Sequence, residues 1–162
     1  MKNLTATYKG LITGLLMVGI SIAIFYLYGD FDSPLQYLVY ALYIAGVIWT
    51  LRAFHHSDAD NKSFKNYFTE GFKFFIVVSF LMVLFTFVFT KLDSSMREQM
   101  AVTYRQDLEA KGNYTATEVN EKVQGAKDYF AVMLTSSAIF GYLVIGSMAT
   151  VVTTLFFLRR KA

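Results

Sequence analysis

The chain has 162 residues, no cysteine and a formal net charge of +3, with 55% hydrophobic and 17% charged residues. Soluble domains carry charge on about a quarter of their residues, so this composition excludes an ordinary soluble fold. The lack of cysteine excludes disulfides, thiolate metal sites and cysteine nucleophiles, and with no basic stripe interleaved with polar residues the net charge does not suggest a nucleic-acid binder.

Four runs contain no Asp, Glu, Lys, Arg or His: 10–28, 35–51, 74–90 and 130–158. Each has the length that crosses a hydrocarbon core of about 30 Å. They predict transmembrane helices over about 10–28, 35–54, 72–90 and 130–158, in a single membrane domain covering 1–162. The expected fold is an all-α, four-span integral membrane protein with a helical hairpin outside the cytoplasm. Ionisable groups inside a bilayer mark proton relays, ion paths and substrate sites, and these runs have none.

The first run follows Lys2 and Lys9. It exceeds the 7–15 apolar residues typical of a signal peptide, and no small-x-small cleavage site precedes Gly29-Asp30, so a retained helix is expected. Gly10 and Gly14 form a small-xxx-small pair suited to helix packing. Tyr37, Tyr40 and Tyr43 head the second run and Trp49 ends it, which reads as an interfacial aromatic belt; Tyr40 and Tyr43 lie deeper, and the alternative reading has them touch a lipid headgroup or ligand. His55-His56-Ser57-Asp58-Ala59-Asp60 gathers metal-ligand residue types without a zinc spacing. It is expected to be a solvated loop in which replacing both histidines with alanine is silent. Ser63 to Phe72 is amphipathic, with Phe64, Tyr67, Phe68, Phe72 and Phe75 assigned to one face. It is either an interfacial helix or the wet first turns of the third span. That span is expected to face lipid over much of its circumference.

The segment between the third and fourth runs is read as helical. Asp93-Ser94-Ser95 offers N-caps, and Met96, Met100, Tyr104 and Leu108 recur every four residues. Gly112-Asn113 is a helix stop. Thr115-Ala116-Thr117-Glu118 is a capping box, after which Val119, Val123, Ala126 and Phe130 lead a second stripe into the fourth span. The result is a hairpin over about 93–129, roughly 25 Å tall, whose stripe (Met96, Met100, Tyr104, Leu108, Val119, Val123) is a candidate partner-docking element. In the fourth span, Ser137, Gly141, Gly146 and Thr150 are candidate helix-packing residues, within the chain or between copies.

Orientation follows the basic flanks. Lys2, Lys9, Arg52, Lys62, Lys65, Lys73, Arg159, Arg160 and Lys161 lie on one side, and Lys91, Arg97, Arg105, Lys111, Lys122 and Lys127 on the other. The first loop, 29–34, has no basic residue. The positive-inside rule then puts both termini in the cytoplasm and the hairpin outside.

The order of parts resembles the bacterial domain of unknown function family 4199, small inner-membrane proteins with four predicted spans. The likeness rests on Ser63-Phe64-Lys65-Asn66-Tyr67-Phe68-Thr69-Glu70-Gly71-Phe72, similar to that family's approach to its third span. It also rests on Leu92-Asp93 followed by Gly112-Asn113-Tyr114-Thr115-Ala116-Thr117-Glu118. Relatives often carry Pro after that Asp, where this chain has Ser94. The resemblance implies a fold and a location in the inner membrane, with no catalytic residue.

No catalytic residue, metal or other cofactor is expected. The two histidines share one loop, and neither an oxyanion-hole signature nor a Gly-rich phosphate loop accompanies them. The expected partners are membrane lipid and either another inner-membrane protein or further copies of the chain. The favoured role is a non-enzymatic accessory or scaffold subunit. The alternative is a small oligomeric transporter or channel, which the uncharged spans and the single proline in a loop, Pro34, disfavour. A lipid-directed enzyme has only the His55-His56 loop to recommend it.

Overall fold

A computed structural model of the chain describes residues 4–28, 34–57 and 62–159. The described residues form five helices and no strand: α1 (Ala6–Tyr28), α2 (Gln36–His55), α3 (Phe64–Leu92), α4 (Ser95–Lys111) and α5 (Ala116–Arg159). All but α4 are long and apolar enough to cross a membrane, an architecture compatible with a multi-pass membrane protein. The chain divides into two compact units, one of residues 1–83 and 139–162, the other of residues 84–138.

In the first unit, each helix turns one stripe inward at helical spacing. From α1 this stripe is Thr13, Met17, Ser21 and Ile24, and from α2 it is Val39, Tyr43, Val47 and Leu51. From α3 it is Tyr67, Phe74, Phe75, Val78 and Met82. Outward-facing residues are equally apolar, among them Leu15, Leu16, Phe80, Phe140, Val144, Met148 and Val152. A water-facing helix puts charge there, and a monomeric soluble protein rarely exposes so large an apolar surface. Hydrocarbon is the solvent that this surface suits.

Helix–helix attraction inside a bilayer comes from close contact, because lipid is as apolar as the core. Small residues provide that contact. A methyl group on Gly10 would meet the Phe74 carbonyl at 2.7 Å, and one on Gly14 would meet Leu81 Cδ1 at 2.6 Å. These α1 glycines therefore lie directly against α3.

The segment Ser63 to Phe72 resolves in favour of the first turns of the span. From Phe64 onward α3 is one unbroken helix of 29 residues. Its aromatics do not share one face. Tyr67 and Phe75 are buried, whereas Phe64 and Phe72 are exposed. The inward stripe passes through Gly71, where a Cβ would strike Thr150, and this contact fixes the rotation of the helix.

The second unit contains α4 and the α5 segment that follows it. Gly112 ends α4 with φ 65°, a left-handed conformation that glycine adopts without penalty. The capping box is fully made. The Thr115 amide and hydroxyl donate to Glu118 Oε2 at 2.8 and 2.9 Å, and the Glu118 amide donates to Thr115 Oγ1 at 3.3 Å. At the start of α4 the cap comes from Asp93, whose Oδ1 accepts the Ser95 amide at 2.8 Å. Ser94, at the N-cap position itself, makes no side-chain capping bond.

Candidate functional site

Three groupings of side chains stand out. The first is the hairpin of the second unit. Ala101, Leu108, Val119 and Val123 form a buried cluster with Tyr104 packed against it. Met96 and Met100 are half-buried. Leu108, Val119 and Val123 are thus turned into the hairpin's own seam, while Tyr104, Met96 and Met100 keep part of their surface free. An ion pair between Lys127 and Glu98, 2.6 Å, ties the two helices, and Lys122 lies over the Tyr114 ring at 4.9 Å. Sequence reading missed the Glu98–Lys127 pair because the partners are far apart along the chain and lie outside any apolar stripe.

The second grouping is the packed centre of the first unit. Tyr43 is fully buried, which corrects its placement in an interfacial belt. Its hydroxyl donates to the Tyr142 carbonyl at 3.0 Å and lies 3.4 Å from Ser79 Oγ. The ring stacks on Phe74 at 6.3 Å and meets Tyr142 edge-on at 6.0 Å. A buried phenol needs a partner, and a helix carbonyl with a spare lone pair supplies one. Gly146 and Thr150, two of the candidate packing residues, are buried here, with Gly146 beneath the Tyr43 hydroxyl. Ser137 and Gly141 are exposed, and a Cβ on Gly141 would meet nothing within 4 Å. Gly141 thus has no close neighbour against its face.

The third grouping lies where α1 begins, α2 ends and α3 begins. A cavity of about 130 Å³ is lined by Lys9, Thr50, Ser57 and Glu70 among apolar residues that include Phe54. Lys9 is only 5% exposed, with its ammonium 5.2 Å from the centre of the Trp49 ring. Thr50 is 2% exposed, and its hydroxyl finds no partner. Glu70 is held on one oxygen by Lys73 at 2.7 Å. Sequence reading assigned Lys9 to a basic flank. Its position next to the small-residue pair Gly10 and Gly14, on the buried side of α1, was the available signal.

His55 stands beside this region and is not a solvated loop residue. It closes α2, shares a hydrogen bond of 2.5 Å with the Tyr67 hydroxyl through Nδ1, and stacks on Phe157 at 4.9 Å. Lys62 donates to its carbonyl at 2.8 Å. His56 is exposed. Asp58 and Asp60, the acidic members of the candidate metal cluster, lie outside the described residues, and among the described residues no three His, Asp or Glu side chains gather as metal ligands.

Among curated proteins and solved structures, none matches this chain. The family model described as a protein of unknown function, DUF4199, matches residues 8–159. That match covers nearly the whole chain, and with its four span-length helices the chain belongs to this family.

Proposed function

We propose that the chain is a multi-pass protein of the bacterial inner membrane, with both termini in the cytoplasm. It acts as a non-enzymatic accessory or scaffold subunit, and its hairpin docks another membrane protein or lipid-linked machinery outside the cytoplasm. The observation that carries the docking role is the closed seam of Ala101, Leu108, Val119 and Val123. Apolar burial drives association only where water is the alternative, at about 25 cal/mol per Å². A seam of this kind belongs to an element built to hold its shape in water. Its caps at Asp93, Gly112 and Thr115–Glu118 fix both ends of the turn. The remaining surface is polar, with exposed apolar residues such as Val102 and Tyr129 set singly into it. That composition suits a specific, wet interface. The basic flanks support the orientation.

Gentle detergent extraction followed by native mass measurement tests this reading. A stable heteromeric complex in wild type that is lost in Leu108→Asp supports it. A symmetric assembly of this chain alone, unchanged by that substitution, contradicts it and favours the oligomeric transporter.

A further inference from the structure

We propose that the cavity framed by Lys9, Thr50 and Glu70 binds the headgroup of an ethanolamine phospholipid, with its phosphate on Lys9 and Thr50 and its ammonium on Glu70. This inference rests on the chain being embedded in a bilayer and is independent of the docking role of the hairpin.

The polar side chains around this cavity are unevenly matched. A buried ammonium is costly unless an anion or strong acceptors meet it. Lys9 is buried and has the Trp49 ring beneath it. A ring face offers weak compensation compared with an anion. Thr50 adds a buried hydroxyl with no partner, on the wall of the same cavity, and an unsatisfied buried donor carries its full desolvation cost. Glu70 brings the opposite charge to that wall, with one carboxylate oxygen held by Lys73, and it attracts Lys9 across the cavity without a direct ion pair between them among the described residues. Two opposite charges face one cavity without meeting, which is complementary to a ligand carrying both signs.

Simpler ligands fit less well. Phosphate alone would serve Lys9 and Thr50 but would set a second negative charge beside Glu70. A cation alone would meet a Glu70 that already has Lys73 and would leave Lys9 without an anion in contact. A choline headgroup has no N–H to donate to the carboxylate. A phosphate diester with a primary ammonium two carbons away satisfies all three side chains, and about 130 Å³ is room for a small polar group rather than a single water. The location agrees. Tyr8 and Trp49, the sequence neighbours of the lining residues Lys9 and Thr50, are exposed, and aromatic and basic side chains together mark the headgroup level of a membrane.

The test uses the full-length chain in detergent, incubated separately with phosphatidylethanolamine, phosphatidylcholine and phosphatidylglycerol, with retained lipid read by native mass spectrometry. Wild type should retain phosphatidylethanolamine about tenfold better than the other two, the scale of one charge-assisted hydrogen bond. Lys9→Met and Thr50→Val should each reduce that retention about tenfold, and Glu70→Gln should erase the preference over phosphatidylglycerol. Thr50→Val preserves shape, so it decides the matter if Lys9→Met fails to fold. Equal retention of the three lipids, or unchanged phosphatidylethanolamine retention in both Thr50→Val and Glu70→Gln, overturns the proposal. Soluble glycerophosphoethanolamine separates the two sources of this chemistry. Failure to displace the lipid at matched concentration supports the bilayer as the source, and full displacement overturns it.

Discussion

The hydroxyl of Tyr43 donates to the carbonyl of Tyr142 at 3.0 Å and lies directly over Gly146, one turn further along the same helix. The two features depend on each other, because the phenol reaches the carbonyl only where the next turn has no side chain. A methyl group on Gly146 would strike the Tyr43 hydroxyl and come within 2.7 Å of Phe75 Cβ. Gly146→Ala should therefore destabilise the first unit by about 1–3 kcal/mol, as overpacking does. Tyr43→Phe in the same chain should recover part of that loss, since it removes the atom that clashes. Thermal unfolding of the two single variants and the double variant in detergent gives the coupling. Gly141→Ala, which meets nothing, should be neutral or slightly stabilising.

The two adjacent histidines should separate in mutagenesis. His55→Ala removes the Tyr67 hydroxyl's partner and the stacking surface of Phe157. It should cost about 1–2 kcal/mol of thermal stability. His56→Ala, at an exposed position, should stay within about 0.5 kcal/mol of wild type. Equal effects from both would show that the His55 contacts contribute nothing.

The hairpin turn should loosen in acid. The Thr115 amide and hydroxyl hold the Glu118 carboxyl below its ordinary value, and Ser95 does the same for Asp93. A depressed carboxylate pKa adds stability that is complete above the ordinary carboxylate range and is lost as pH falls through the depressed value. Amide exchange at Thr115 and Glu118, corrected for intrinsic rates, should be pH-independent near neutrality and accelerate only below the usual carboxylate range. Glu118→Ala should show the faster exchange at neutral pH already.

Topology can be read directly because the chain has no cysteine of its own. Single cysteines at Gln106 and Lys65, both exposed, should differ in intact cells. A membrane-impermeant maleimide should label Gln106→Cys at once and Lys65→Cys only after permeabilisation. The reverse pattern would invert the proposed orientation.

Much of the fold is legible in the sequence because hydropathy and turn chemistry are local. The helix stop at Gly112 and the capping box at Thr115–Glu118 depend on residues three or four apart and hold in the structure. The seam is legible as a four-residue repeat that includes Leu108 and Tyr104, although Ala101, outside that repeat, is buried in the cluster while Met96 and Met100 are only half-buried. What the sequence does not reveal is which side of each apolar helix points inward. Tyr43 looks interfacial and is buried, and Lys9 looks like a flanking charge and is buried too. In a span whose every face is apolar, periodicity carries no contrast. Inward and outward are set instead by close contacts such as Gly10 with Phe74 and Gly71 with Thr150.

The most direct test of the docking role is a photo-crosslinker at Gln106, on the exposed side of α4, activated in intact cells with and without Leu108→Asp. A charge in the buried seam should open it at a cost of a few kcal/mol, while the spans still insert. The account predicts a discrete heteromeric adduct in the otherwise wild-type chain. That adduct should be lost in the Leu108→Asp background although the protein still reaches the membrane. An adduct of the same size and yield in both backgrounds, or adducts only between copies of this chain, would contradict it.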